Sequence, residues 1–276
     1  MTVQVDVTFD LHRFLFGGSS AMSITKNDIP ILEFDTDSTA VIMPTHEKLD
    51  LILPQKAVFA FLGEYIDAYA KENGATKVAE FESATKRYPI YVVKHQGEDV
   101  CLCQAPVGAA PATQLFDWLI GYGAKKIISA GSCGALIRFP ENTFLVPYKA
   151  LRDEGTSYHY MPPCRFVETE PLARMAIKKA LLGKGFHYRE VITWSTDGFF
   201  RETKEKVEYR RQEGCEVVEM ECSALAACAA LRGVVWGCML FTADTLADPN
   251  RYDERDWGKR SVETALKLCL DAVITL

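Results

Sequence analysis

The sequence feature that most constrains the fold is a regular alternation of short apolar β-type runs with helical segments. The clearest example is PATQLFDWLIGYG at 111–123, a helical segment with proline at its start and glycine at its end, which is followed by the apolar run KKIISAG at 125–131. Strands that alternate with helices along a chain favour an α/β domain whose sheet is covered on both faces. We therefore predict one α/β domain, with a mixed central sheet flanked by helices.

The predicted domain covers residues 40–276, after an irregular extension over 1–39 in which GGSS and DTDS are turn-rich. AVIM at 40–43 is predicted to be the first strand, and 54–74 is predicted to be an amphipathic helix that ends at a glycine. The other predicted strands are RYPIYVVKH, EDVCLCQAP, NTFLVPYKAL, EVITWSTD, CEVVEM and VVWGCMLFTAD, and the other predicted helices are PLARMAIKKALLGKG, ECSALAACAALRG and GKRSVETALKLCLDAVI.

Composition and charge argue against several classes of protein. The formal net charge of −6 argues against a nucleic-acid partner, for which a basic face is expected. The nine cysteines include no CxxC pair, and no cluster has metal-ligand spacing, so we expect reduced, mostly buried thiols and no metal site. Neither a secretory signal nor an apolar run of membrane-spanning length is recognisable. These features predict a cytoplasmic protein that does not enter a membrane.

Three short motifs carry the candidate chemistry. GSCG at 131–134 follows a buried strand, and Asp244 follows the apolar strand VVWGCMLF, so both lie where open α/β sheets bind ligands. VEME at 218–221 lies where a strand enters a small-residue helix, whose dipole favours the anionic form of Glu221. Taken singly, each motif also has a structural interpretation, as a Gly-rich turn, a turn-forming aspartate or a helix-capping acid.

Taken together, GSCG at 131–134, VEMExxAL at 218–225 and TAD at 242–244 resemble the hexameric purine nucleoside phosphorylase and uridine phosphorylase superfamily. KKIISAGSCGAL resembles its strand and phosphate-loop segment, RDEGTSYHY the segment after its next strand, and STDGFF its base-stacking segment. The resemblance implies cleavage of the bond between a ribose and a base, with inorganic phosphate as co-substrate and no cofactor. It also implies a homo-oligomer whose only partners are nucleoside and phosphate.

The resemblance further implies roles for single residues. Glu221 would accept hydrogen bonds from the ribose hydroxyls, and Asp244 would act at N7 of a leaving purine as a general acid. Ser132 would contact phosphate, and Phe199 would stack on the base. The full set of implied substrate contacts is Gly131, Ser132, His159, Phe199, Glu219 and Met220. For His159, a packed and hydrogen-bonded imidazole is the alternative.

The phosphate side of the predicted site departs from the family pattern. Phosphorolytic members carry an arginine two residues before the loop glycine, where this chain has Ser129, and PTHEK rather than a GDPxR-type loop follows the predicted first strand. Arginine offers phosphate a rigid bidentate fork, lysine offers one mobile charge and serine offers none. Lys48 and either Lys86 or Arg87, the latter from a neighbouring subunit, would restore part of the site. Lys86 and Arg87 are also interpretable as a solvated surface pair.

Three functions therefore remain open from the sequence. The first, which we expect, is phosphorolysis of a nucleoside to base and ribose 1-phosphate, with a place in purine salvage. The second is hydrolysis, with Glu47 activating a water, and the third is a binding protein that has lost turnover. Pyrimidine-selective members carry a Gln and an Arg soon after the stacking Phe, and RETKEKVEY at 201–209 has no such pair in register. That difference, together with Asp244, favours a purine base.

Overall fold

A mixed ten-stranded sheet forms the centre of the part of the chain that the computed structural model describes, residue 24 and residues 26–276. The strands are β1 (Lys56–Ala60), β2 (Thr76–Glu82), β3 (Arg87–His95), β4 (Glu98–Gln104), β5 (Lys126–Ala135), β6 (Phe144–Asp153), β7 (Phe166–Glu168), β8 (Tyr188–Thr196), β9 (Cys215–Glu219) and β10 (Val235–Thr245). The helices are α1 (Tyr65–Glu72), α2 (Ala109–Gly121), α3 (Pro171–Gly183), α4 (Lys204–Gln212), α5 (Cys222–Arg232) and α6 (Val262–Ile274). The predicted α/β domain with a mixed sheet is confirmed.

Five of the strands pair in a closed ring. β5 is parallel to β10, β10 is antiparallel to β6, and β6 is parallel to β8. β8 is parallel to β9, and β9 returns antiparallel to the end of β5, which closes the ring. From the first residues of β5 the sheet continues outward through β1, β4, β3 and β2, while β7 pairs with β6. The ring brings the ends of β5, β9 and β10 side by side.

Helices cover both faces of this sheet. α2 and α5 pack on one face, and α1, α3 and α6 pack on the other. Ala57 and Phe59 of β1 belong to the core under α2 and α5, whereas Val58 and Ala60 belong to the opposite core. Successive strand residues point to opposite faces, so β1 is buried on both sides. No helix of the described residues is long and apolar enough to cross a membrane.

The helix predicted over 54–74 is wrong in its first half. Residues 56–60 form β1, Gly63 adopts a φ of 62°, and only α1 beyond it is helical. A strand buried on both faces is continuously apolar, so the run AVFAFL fits a buried strand as well as it fits a helix. Gly63 provides the positive φ that separates the two elements, because residues with a side chain rarely adopt that conformation.

The strand predicted at AVIM is also wrong. Residues 40–43 pair with no strand among the described residues, and Ile42 is 71% exposed. The following residues Pro44 and Thr45 instead pack against Gly121 at the end of α2. A short apolar run becomes a strand only where a neighbouring strand accepts its hydrogen bonds. The first strand is therefore β1, and the segment PTHEK precedes it rather than follows it.

The cysteines are arranged as predicted within the described residues. All nine are free thiols, and all except the exposed Cys164 are buried. Most of them line the two apolar cores; Cys101 and Cys269, for example, lie on opposite faces of the sheet. They act there as small apolar side chains.

Candidate functional site

The three motifs meet at one cavity because of the register of the sheet. Cys133 of β5 pairs with Thr242 of β10, and Gly134 pairs with Val218 of β9. GSCG therefore lies between VEME and TAD, and it is part of β5 itself rather than a turn that follows the strand. The cavity at this point has a volume of about 170 Å³. The predicted site residues that line it are Gly131, Ser132, Phe199, Glu219, Met220, Glu221 and Asp244.

Glu219 is a buried carboxylate that organises the start of α5. One of its oxygens accepts hydrogen bonds from the backbone N–H groups of Glu221 and Cys222, at 2.7 and 2.6 Å. The other accepts from the hydroxyls of Ser195 and Thr193, at 2.5 and 3.1 Å. Both oxygens are therefore occupied by the protein, and Glu219 caps α5 in place of the side chain of Glu221. Glu219 thus holds Glu221 in position rather than offering a free acceptor to a ligand.

Glu221 is 8% exposed and lies at the N-terminal boundary of α5. Its Oε1 accepts a hydrogen bond from the backbone N–H of Gly108, 2.5 Å away at the start of α2. Burial, with a further contribution from the charge of Glu219, raises the pKa of Glu221 to about 8. Desolvation therefore outweighs the preference for the anionic form that the dipole of α5 gives this carboxyl. A carboxyl poised in this way becomes an acceptor once ligand hydroxyls hydrogen-bond to it.

Asp244 lies on β10 and is 6% exposed. Burial raises the pKa of Asp244, although the nearby Tyr252 hydroxyl and Arg255 guanidinium each lower the pKa in part. A carboxyl whose pKa is raised by burial retains its proton at higher pH than an exposed aspartate, as a proton donor requires. Asp244 therefore lies at the cavity with a raised pKa, and its role as a general acid stays a prediction.

Phe199 and Ser132 offer two further kinds of contact. Phe199 begins a short 3-10 helix, is 43% exposed, and meets the ring of Phe200 edge-on at 5.0 Å between centroids. Its exposed ring at the cavity wall suits stacking on a planar base. Ser132 is exposed while its neighbours on β5 are buried, so its hydroxyl is available to a ligand.

Sequence reasoning missed Glu202, which also lines the cavity. Burial, with the charge of Asp244 as a further cause, raises the pKa of Glu202 to about 7. In the described part of the chain no side-chain or backbone group forms a hydrogen bond with its carboxyl, so it is available to a ligand. Glu202 is one of several charged residues in RETKEKVEY, and nothing in that pattern distinguishes it from its solvated neighbours.

The side of the cavity formed by β5 is uncharged. None of the described residues that line the cavity is an arginine, lysine or histidine. Ser129 is fully buried, and its hydroxyl accepts a hydrogen bond from the indole N–H of Trp236 at 3.0 Å. Phe61, from the segment that follows the true first strand, lies so close to Gly131 that a Cβ at Gly131 would be 3.3 Å from it. Two aromatic side chains thus occupy space beside the GSCG segment.

The other predicted site residues lie elsewhere in the single chain. Arg87 begins β3, is paired with Glu80 and Glu82, and does not line the cavity. Lys48 is exposed in a turn before β1, so it does not follow the first strand as predicted. His159 lines a second cavity, formed with the residues around Asp117. Glu47 accepts a hydrogen bond from the indole N–H of Trp118 at 2.8 Å and does not line the first cavity.

Comparison with known proteins agrees with this arrangement. The sequence model of the phosphorylase superfamily matches residues 55–275 of the chain. Guanosine phosphorylase from Halorubrum lacusprofundi is 25% identical over 211 residues, which cover 72% of this chain and 85% of the relative. The match to the family begins at the residue before β1 and includes all three motifs.

Solved structures show the same fold at low sequence identity. A purine nucleoside phosphorylase from Toxoplasma gondii, in complex with immucillin-H, superimposes with a TM-score of 0.69 at 20% identity, covering 86% of this chain and 97% of that chain. An AMP nucleosidase from Bacteroides thetaiotaomicron gives a TM-score of 0.65 at 22% identity, covering 81% of this chain and 89% of that chain. Proteins named for phosphorolysis and for hydrolysis therefore share the architecture described above.

Proposed function

The chain belongs to the phosphorylase superfamily, and we propose that it cleaves the N-glycosidic bond of a purine nucleoside with phosphate, releasing the free base and ribose 1-phosphate. The observation that carries this proposal is the meeting of Ser132, Phe199, Glu221 and Asp244 at one cavity. Each supplies a different contact that the reaction needs, with phosphate, base, ribose and leaving group respectively. The activity named for the relative from Halorubrum lacusprofundi supports the same class of reaction.

Cleavage separates charge between the sugar and the base. The ribose becomes cationic as the bond to nitrogen breaks, and Glu221 beneath its hydroxyls stabilises that charge in a site with little water. The N–H of Gly108 fixes the carboxyl of Glu221, and Glu219 fixes its backbone N–H, so little reorganisation is needed as charge develops. Phe199 holds the base by stacking. Asp244 then protonates N7, so that the base departs as a neutral molecule.

A second function, hydrolysis, is favoured by one specific observation. The cavity contains four carboxyl side chains and, among the described residues that line it, no cationic one. Phosphate binding normally uses arginine, lysine or unpaired backbone N–H groups, and desolvating an anion without them is costly. Phosphorolysis at this site therefore requires a cation from a second copy, for which Arg87 is our proposal. Hydrolysis requires none, because water is the nucleophile.

The test is a panel of purine and pyrimidine nucleosides incubated with and without phosphate, with the free base measured by chromatography. We expect base release from purine nucleosides to depend on phosphate and to yield ribose 1-phosphate. Release of base and free ribose at the same rate without phosphate would replace phosphorolysis by hydrolysis. Binding without cleavage under both conditions would indicate a protein that has lost turnover. Asp244→Asn serves as the low-activity control, and Glu205→Gln, on the exposed start of α4, as the matched control.

We place this reaction in purine salvage in the cytoplasm, in a homo-oligomer. The nine free thiols support a reducing compartment. No described residue that lines the cavity is cationic, and a neighbouring copy that supplies a cation would account for phosphate binding. Sedimentation at two phosphate concentrations would measure the oligomeric state, and a monomer with full phosphate-dependent activity would contradict the role of a second copy.

A further inference from the structure

The 248–258 segment, which joins β10 to α6, is held firmly against the cavity side of the sheet. Thr245 and Asp253 pair as an antiparallel bridge. The guanidinium of Arg255 donates to the carbonyl oxygens of Ala243 and Phe139, at 3.3 and 2.8 Å. These contacts anchor the segment to β10 and to the loop that follows β5. The segment itself contains no regular helix or strand.

One carboxylate oxygen imposes a strained backbone on this segment. Oε1 of Glu141 accepts from the backbone N–H groups of both Asp256 and Gly258, at 3.0 and 2.9 Å. Arg255 and Trp257 have φ values of 51° and 56°, which bulky side chains rarely adopt. Residues held in such sparsely populated conformations cluster at functional sites.

The strained segment brings one side chain to the cavity wall and a second one to Asp244. Tyr252 and Asp244 precede the bridged residues Asp253 and Thr245, and the phenol and the carboxyl lie close enough for each to shift the pKa of the other. Trp257 lines the cavity together with Phe199, and each of these rings is 43% exposed. A segment held in an unfavourable conformation, with its indole at a ligand cavity, is not explained by packing of the core.

We propose that the 248–258 segment completes the base subsite, with Trp257 as a second aromatic contact for the base and Tyr252 as the residue that positions Asp244. The inference rests on the proposed function, which it deepens by naming the parts of the site that select the base. Two aromatic rings at the wall of one cavity favour a flat, extended, bicyclic base over a smaller pyrimidine, because stacking increases with ring area.

The role of Tyr252 follows from the groups around Asp244. Tyr252 and Arg255 favour its carboxylate form, whereas burial opposes that form. Among the described residues, Glu202 and Cys133, on β5, also face Asp244, whose charge raises the pKa of each of them. As donor of a hydrogen bond, the Tyr252 hydroxyl fixes the rotation of the carboxyl, and it limits how far the pKa of Asp244 rises.

Binding of guanosine in phosphate-free buffer, measured by isothermal titration calorimetry, tests the role of Trp257, and tryptophan fluorescence gives a second signal for the wild type. Trp118, Trp194 and Trp236 are each no more than 2% exposed, so Trp257 is the solvent-exposed indole of the chain. We expect guanosine to quench the wild-type signal and Trp257→Leu to bind it roughly 5- to 150-fold more weakly, the range for loss of one base-stacking contact. Trp257→Phe should recover most of the affinity. Unchanged affinity in a folded Trp257→Leu protein would overturn this part of the proposal.

The pH profile of kcat tests the role of Tyr252. In Tyr252→Phe the carboxylate of Asp244 loses a hydrogen bond, so its pKa rises further and the alkaline limb of the profile should move to higher pH. We expect kcat at the optimum to fall roughly tenfold, since the carboxyl is no longer oriented. Tyr209→Phe is the matched control, because Tyr209 is 53% exposed, close to the 54% of Tyr252, and does not line the cavity. An alkaline limb identical to that of the wild type would refute the positioning role.

The two measurements separate this inference from the proposed function. If guanosine binds through Trp257 but no nucleoside is cleaved with or without phosphate, the base subsite stands and the catalytic proposal fails. If nucleosides are cleaved but neither variant differs from the wild type, the catalytic proposal stands and the inference fails.

Discussion

Replacing Glu221 by glutamine tests whether burial keeps this site carboxyl protonated. In the folded chain, burial and the nearby charge of Glu219 raise the pKa of Glu221 from its ordinary 4.5 to about 8. Glutamine has almost the same shape and keeps an oxygen for the N–H of Gly108, but it does not titrate. Any difference in pH dependence between the two proteins therefore reports the proton on Glu221.

The sign of the effect follows from proton linkage. The carboxyl of the unfolded chain ionises near pH 4.5, whereas that of the folded chain keeps its proton until about pH 8. Between these values the folded state binds more protons, so the free energy of unfolding falls as the pH rises, by about 1.4 kcal/mol per unit at most. Across the whole interval the free energy of unfolding of the wild type falls by about 5 kcal/mol through the carboxyl of Glu221, and that of Glu221→Gln has no such contribution.

The assay is denaturant unfolding of the wild type, Glu221→Gln and the exposed control Glu205→Gln at about pH 5 and about pH 8. We expect Glu221→Gln to match the wild type at the lower pH and to exceed its stability by several kcal/mol at the higher one. The same variant should cleave nucleosides at least tenfold more slowly, because the charge-assisted hydrogen bonds to ribose are lost. If the free energies of unfolding of the wild type and of Glu221→Gln change by the same amount between the two pH values, the raised pKa of Glu221 is refuted.

Three further results are expected. Asp244→Asn should lower kcat on purine nucleosides by at least tenfold with little change in KM, since an amide binds N7 but delivers no proton. Full kcat of this variant in steady-state assays would contradict the role of Asp244 as general acid. Glu219→Ala should lower the free energy of unfolding by roughly 2–4 kcal/mol, because four donors lose their buried acceptor, and a change within error in denaturant unfolding would count against the capping role. Gly237→Ala should destabilise the protein by about 1–3 kcal/mol, since the added Cβ would lie 2.6 Å from Cβ of Ala173, and a thermal transition at the wild-type temperature would refute this steric argument.

Local sequence determined the chemistry-bearing parts of the site. GSCG, VEME and TAD are each continuous in the chain, and each follows or ends an apolar run that was recognised as a strand. Because the carboxyl ends of strands in open α/β sheets form the ligand edge, these runs predicted that Ser132 and Asp244 lie at that edge, and the family resemblance added Glu221 to the same site. The predicted fold class rests equally on local periodicity and is confirmed.

Local sequence did not determine which apolar run becomes a strand. AVIM and AVFAFL are both short and apolar, yet only β1 is paired, between β4 and β5. Strand pairing depends on partners more than forty residues away, whose positions a local pattern does not contain. The error moved the predicted phosphate loop to Lys48, whereas Phe61 follows the actual first strand.

Only the tertiary structure decided what surrounds the motifs. Glu202, Tyr252 and Trp257 lie in polar, turn-rich segments whose sequence resembles any solvated loop, and the folded chain brings Glu202 and Trp257 to the cavity and Tyr252 to Asp244. The division between Glu219, which caps α5, and Glu221, which faces the cavity, likewise depends on the hydroxyls of β8. A residue's own type fixes which bonds it can make, but burial and the neighbours that folding supplies fix which of them it makes and with what pKa.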